Sequence, residues 1–219
     1  VSSFLVRQAF TRVPEAKLRE AFGELERGVA PEIRRYYQTR DPLSSKLIPV
    51  LYFFWVKTVA TPDGETVPLL SRYVFSQDAY PKKKPRAQIV CPYCWGVIED
   101  RYDAADLKCP HCLRCFNPQE GPASGQYVTT KAGNRYRIKD LLPADGAPLP
   151  HRLYAMLALR PDGKKVYLPA RDEDLALLAE AEARLRTEAV PLPTLAVRPG
   201  HNTDQARGYN YTHWRDFFN

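Results

Sequence analysis

The sequence predicts a mixed α+β chain, with helices first, an antiparallel β-rich middle interrupted by a small cysteine-bearing insertion, and one long helix near the C-terminus. Three observations predict it. Apolar residues recur at helical spacing in the first forty residues and again after Asp172. A β-branched and aromatic run, Val50–Val56, is followed by repeated Gly-containing turn signals. All five cysteines fall between Cys91 and Cys115.

The first helix is expected to place Val6, Ala9, Phe10 and Val13 on one face, with Ser2 or Ser3 as its cap. Pro14 suits a first helical position, and Leu18, Phe22, Leu25 and Val29 then follow at spacings of four, three and four. A third, short helix from Pro31 gathers Ile33, Tyr36 and Tyr37, and Asp41-Pro42 stops it because the residue before a proline avoids helical geometry. Val50-Leu51-Tyr52-Phe53-Phe54-Trp55-Val56 is apolar on both sides, so it reads as a central strand covered on both faces. Pro62-Asp63-Gly64, Ala132-Gly133-Asn134 and Pro161-Asp162-Gly163 each reverse the chain into a hairpin. Asp172–Glu188 is the clearest helix, with acids in its first turn and Leu178, Ala181 and Leu185 on one face. These elements divide the chain into a helical segment (1–47), a hairpin with a basic linker (48–87), the cysteine insertion (88–118), and hairpins plus helix with an aromatic terminal segment (119–219).

Clustered cysteines point to a metal and away from a disulfide framework, which would spread them. Cys91-Pro92-Tyr93-Cys94 and Cys109-Pro110-His111-Cys112 are separated by fourteen residues, placing four thiolates on two facing turns. A closed tetrahedron of four sulfurs suits structural zinc and leaves no open position for a reacting water; iron in a four-sulfur site is the rival. The insertion is thus read as a zinc ribbon whose strands are Ile89-Val90 and Val97-Ile98, folded largely by metal affinity of roughly 10–16 kcal/mol. Gly96 is expected in the left-handed conformation that lets backbone N–H groups reach the sulfurs. Cys112 also forms a C-x-x-C with Cys115; the matching prolines favour Cys112 with Cys109 and leave Cys115 a buried or spare thiol. The His111 ring is expected to point away from the metal.

The chain carries 32 Lys and Arg against 25 Asp and Glu, a net charge of +7, which favours polyanionic partners. Tyr80-Pro81-Lys82-Lys83-Lys84-Pro85-Arg86 precedes the ribbon, and no acidic residue lies between Asp78 and Glu99. Flanking prolines are expected to keep this segment extended along a phosphate backbone, with its charges uncompensated. Tyr93 and Trp95 can add base stacking, so Lys82, Lys83, Lys84, Arg86, Tyr93 and Trp95 are the candidate nucleic-acid contacts. A solvated loop is the bland alternative. No P-loop, nucleotide-type glycine loop, H-E-x-x-H or G-x-S-x-G occurs, and His111, His151, His201 and His213 are scattered, so no catalytic residue is assigned. No apolar run reaches the ~20 residues of a membrane span, and no secretion leader is seen; a cytoplasmic protein without membrane contact is expected. The Val start and the unfinished aromatic end fit a fragment of a longer chain.

Val50–Val59, Ala79–Arg86, Cys91-Pro92-Tyr93-Cys94-Trp95 and Gly200-His201-Asn202-Thr203-Asp204-Gln205 through Tyr211 to Asn219 together resemble the adenine-specific DNA methylases that contain a zinc ribbon, found with restriction-modification and phage-defence genes. The resemblance implies a full enzyme that moves a methyl group from S-adenosylmethionine to adenine N6. It also implies a glycine-rich cofactor loop and a D-P-P-Y-type motif outside this region. Neither is present here, Asp41-Pro42-Leu43-Ser44 being the nearest approach, so S-adenosylmethionine belongs only to the full enzyme. The resulting expectation is a zinc-ribbon segment that positions or recognises DNA for a catalytic methyltransferase domain elsewhere. A free-standing zinc-ribbon adaptor between proteins is the alternative, and a complete enzyme with a site around His201 and Asp204 is a third reading.

Overall fold

A computed structural model of the chain describes residues 6, 7, 10, 11, 13–188 and 192–217. It bears out a mixed α and β fold with antiparallel sheets, helices near the N-terminus and a further helix over Asp172–Thr187. The chain forms two compact units, Val1–Pro49 and Val50–Asn219.

In the first unit Val6 and Arg7 are helical, whereas Ser2, Ser3 and Ala9, named for that helix, lie outside the described residues. Helix α1 (Glu15–Gly28) starts one residue later than expected, with Pro14 at its N-cap. Its Leu18, Phe22 and Leu25 lie at helical spacing, yet all three are exposed. Helix α2 (Ala30–Tyr36) ends before the position expected from Asp41-Pro42. The chain instead enters β1 (Gln38–Arg40), which pairs antiparallel with Leu47–Pro49 at the start of β2 (Leu47–Ala60). Asp41-Pro42 is therefore a hairpin turn and not a helix stop. The buried Asp41 carboxylate accepts from the Leu43 N–H at 3.3 Å and the Ser44 hydroxyl at 3.0 Å, which pins the turn from inside.

In the second unit, β2 from Val50 onward pairs antiparallel with β12 (His151–Leu159), and β12 with β13 (Lys165–Pro169). The expectation for Val50–Val56 needs correction. Leu51, Tyr52 and Trp55 are exposed, whereas Leu153 to Ala158 of β12 form an unbroken buried run. Position explains the difference, because β12 lies between two strands and under packing on both faces. On one face Val50, Leu153 and Met156 meet Leu175 and Leu178 of α3 (Asp172–Thr187). Only the first turns of α3 make this contact; Leu185, expected on the packed face, is exposed. Asp174 anchors the start of α3 by accepting the Arg171 N–H at 2.9 Å. On the other face, Phe54, Tyr154 and Tyr167 meet Phe75 with centroids 5.1, 5.4 and 6.0 Å apart.

All three hairpins expected from their turn residues are present. Strand β3 (Thr66–Pro68) returns beside Thr58–Ala60, β10 (Tyr127–Thr129) pairs with β11 (Arg135–Arg137), and β12 with β13. Their turns share one hydrogen-bond pattern: the residue before the turn, Thr61, Thr130 or Arg160, donates to the carbonyl four residues on and accepts from the turn glycine. Gly64, Gly133 and Gly163 accordingly take φ values of 78°, 87° and 81°, the left-handed geometry of a three-residue hairpin loop.

Phe75 belongs to β4 (Val74–Gln77), which joins β5 (Arg86–Val90) and β6 (Val97–Arg101) in a separate antiparallel sheet. Ile89 opposite Ile98 and Val90 opposite Val97 confirm the ribbon strands read from the sequence. This sheet carries the cysteine turns and sets them against β12 through Val90, Trp95, Tyr154 and Ala155. Strands β7 (Leu107–Lys108) and β8 (Cys115–Phe116) flank the second turn, and β9 (Ala123–Ser124) extends the β10–β11 hairpin.

Candidate metal centre

Each C-P-x-C segment folds into the same knuckle. In the first, the Cys91 N–H donates to the Gly96 carbonyl at 2.9 Å and the Trp95 N–H to the Cys91 carbonyl at 3.0 Å. In the second, Cys109 donates to the Arg114 carbonyl and Leu113 to the Cys109 carbonyl, both at 2.9 Å. The residue after each second cysteine is left-handed, Trp95 at φ 60° and Leu113 at φ 64°. Gly96 is thus not the left-handed residue expected from the sequence. Its requirement is space: a Cβ there would lie 2.4 Å from Cδ2 of His111, whose ring crosses from the second knuckle onto the first. His111 Nε2 lies 3.3 Å from the Val97 carbonyl, so this ring joins the knuckles and stays outside the sulfur cluster, as expected.

The Sγ atoms of Cys91, Cys94, Cys109 and Cys112 all lie within 4.8 Å of one another. Cys91 and Cys112 stand 3.7 Å apart and Cys94 and Cys109 3.6 Å apart. A disulfide would need about 2.05 Å. A tetrahedron with metal–sulfur bonds of ~2.3 Å has edges of about 3.8 Å, so the spacing matches four ligands of one metal ion. Cys91 and Cys109 are buried in a small core with Val74, Ala87, Ile89, Ile98 and Leu107, while Cys94 is exposed. Cys112 enters the cluster and Cys115 does not; Cys115 is an exposed free thiol opposite Lys108.

The thiols differ electrostatically. Burial pushes Cys91 up to about 12 and raises Cys94 above the ordinary thiol range. Burial acts on Cys109 in the same direction, but the Cys112 and His111 backbone N–H groups outweigh it and bring Cys109 down to about 7. Donors that favour thiolate at this position favour a bound cation as well.

The basic segment departs from expectation in two ways. Tyr80–Lys84 is a turn, not an extended run, because it must reverse the chain between the antiparallel strands β4 and β5. The Tyr80 carbonyl accepts the Lys83 and Lys84 N–H groups, and the Asp78 carboxylate accepts the Tyr80 N–H at 2.9 Å. Nor are all four charges uncompensated: Lys84 pairs with Asp78 at 3.2 Å and Arg86 with Glu99 at 2.7 Å. The acids that bound the gap in sequence return to it in space. Lys82 and Lys83 are exposed on the turn and form no ion pair among the described residues.

Tyr93 is exposed, with Arg114 over its ring at 5.0 Å. Trp95 instead packs 6.2 Å from Tyr154 with Arg152 over it at 4.4 Å, bracing the knuckle against the sheet. The two arginines escaped the sequence reading because each meets its ring only through the folded register. His201 and Asp204 lie in a self-bonded turn where the Gly200 N–H donates to Asp204 at 3.0 Å. No helix among the described residues is long and apolar enough to cross a membrane. No family model, curated protein or solved structure matches the chain.

Proposed function

We propose that the ion held by Cys91, Cys94, Cys109 and Cys112 is structural zinc, and that this chain is the zinc-ribbon segment of a DNA adenine-N6 methyltransferase. In this reading it positions or recognises DNA for an S-adenosylmethionine-dependent catalytic domain outside these residues. The observation that carries the nucleic-acid part is the hydrogen-bonded turn on the ribbon sheet, which exposes Lys82 and Lys83, without ion-pair partners among the described residues, beside the paired Lys84 and Arg86. Exposed Tyr93, under Arg114, supports the same reading. The four-sulfur set is complete without solvent, so the zinc would hold shape and perform no chemistry.

A free-standing adaptor that binds protein is the second reading. It is favoured by the neutralisation of Lys84 and Arg86 and by exposed Leu113 on the second knuckle. A gel shift with duplex DNA at two salt concentrations separates the two. The methylase-segment reading expects binding that weakens with salt, and a salt slope reduced by about 1.8 in the Lys82→Ala/Lys83→Ala variant, from ~0.9 per phosphate contact. Labelled S-adenosylmethionine should not bind this chain alone. Absence of DNA binding, or an unchanged salt slope in the variant, favours the adaptor.

A further inference from the structure

Helix α1 has no buried residue among its fourteen. Leu18, Phe22 and Leu25, with Val29 just past its end, are between 46% and 63% exposed. At about 100° per residue their spacings of four, three and four keep all four side chains within roughly 60° around the axis. A helix of this length is marginal in water by itself, and an apolar stripe is normally what holds such a helix to a neighbour.

The charges beside the stripe say which neighbour fits. Its spacing is that of coiled-coil core positions, with Leu18 and Leu25 at d and Phe22 and Val29 at a. This register puts Arg19 and Glu26 at the two e positions, and Ala21 and Gly28 at the g positions. Two such helices paired antiparallel bring e beside e and g beside g. Arg19 then stands beside Glu26 of a second copy, and the two-fold axis repeats the pair in the other direction. A parallel pair would set these charges against Pro14 and Ala21, which offer no partner. One helix therefore carries both halves of its own complement, while the small Ala21 and Gly28 let the opposite flank approach closely. Within one copy Arg19 pairs with Glu15 at 2.6 Å and Glu26 with Arg34 at 3.1 Å, with all four side chains more than half exposed. Exposed pairs of this kind exchange partners at little cost. Covering the stripe removes about 400 Å² from each copy, so with its flanks a pair buries on the order of 1,000 Å², the low end for a specific interface.

We propose that α1 is a self-association element, through which two copies of the chain form a weak antiparallel dimer. Leu18, Phe22, Leu25 and Val29 fill its seam, and Arg19–Glu26 pairs run along one flank. This dimer stands independently of the nucleic-acid reading. The test is sedimentation velocity of the zinc-loaded full chain from micromolar to millimolar concentration. Wild type is expected to pass reversibly from monomer to dimer. Phe22→Glu, at an exposed position outside every buried core cluster, should stay monomeric with its zinc content unchanged. Arg19→Glu and Glu26→Arg should each self-associate about tenfold more weakly, because two attractive contacts per dimer become repulsive. An equimolar mixture of those two variants should recover most of the loss, since each charge then meets its opposite. Four results overturn the proposal: a wild type that stays monomeric throughout, a dimer that survives Phe22→Glu, an assembly larger than two, or a mixture that associates no better than its components.

Discussion

Protonation decides how tightly the four sulfurs take a metal. Burial holds Cys91 near 12 and raises Cys94, so both keep their protons at neutral pH, whereas Cys109 near 7 is partly ionised there. A metal binds thiolates and must displace those protons. A raised pKa makes displacement costly at low pH, and the cost falls as pH rises. Zinc affinity is therefore expected to rise with pH, by at least about two log units per pH unit around neutrality, two from Cys91 and Cys94 and a further part from the partly protonated Cys109. Competition against a chromophoric chelator between mildly acid and mildly alkaline pH measures the slope. A pH-independent affinity would show that the thiols are already ionised. Cys115→Ser should leave both slope and stoichiometry unchanged, because its sulfur stands outside the cluster.

At the scale of the element, the two knuckles are held together by more than sulfur. Gly96 sits under the His111 ring with no room for a methyl group. Gly96→Ala is expected to destabilise the ribbon by about 1–3 kcal/mol, the usual penalty of overpacking a tight contact. Removing the ring as well, in Gly96→Ala/His111→Ala, should recover part of that loss. A double-mutant cycle read from thermal melts of the zinc-loaded protein measures the coupling. Additive losses would mean that the ring and the glycine do not constrain each other. The left-handed Trp95 and Leu113 carry a further cost of roughly 1–2 kcal/mol each, which bonding within the knuckle and to the metal must offset.

At the scale of the second unit, the ribbon core and the β2–β12–β13 core are separate clusters that meet at an aromatic seam. Cys91 and Cys109 belong to the first, while Val50, Leu153 and Met156 pack under α3. Chelation is therefore expected to release hydrogen-exchange protection in β5 to β8 and to spare Leu153–Ala158. Global loss of protection would join the two cores into one cooperative unit, and unchanged β5–β6 protection would deny the metal a structural role. Much of this organisation was legible in the chain itself. The hairpins could be read because their turn residues impose φ locally, and the cysteine pairs because ligand spacing is a local property. The identity of the most buried strand was not: Val50–Val56 is more aromatic than His151–Leu159, yet burial follows from having neighbours on both edges and packing on both faces, which no local run encodes. The basic segment failed for the same reason. Its acidic partners Asp78 and Glu99 lie just beyond its ends in sequence, and β-pairing brings them alongside. The sequence by itself thus determined which residues can bind metal and where the chain reverses, since both depend on groups a few bonds apart. Only the tertiary structure decided which charges remain free and which strand lies inside, because those depend on pairing between distant segments.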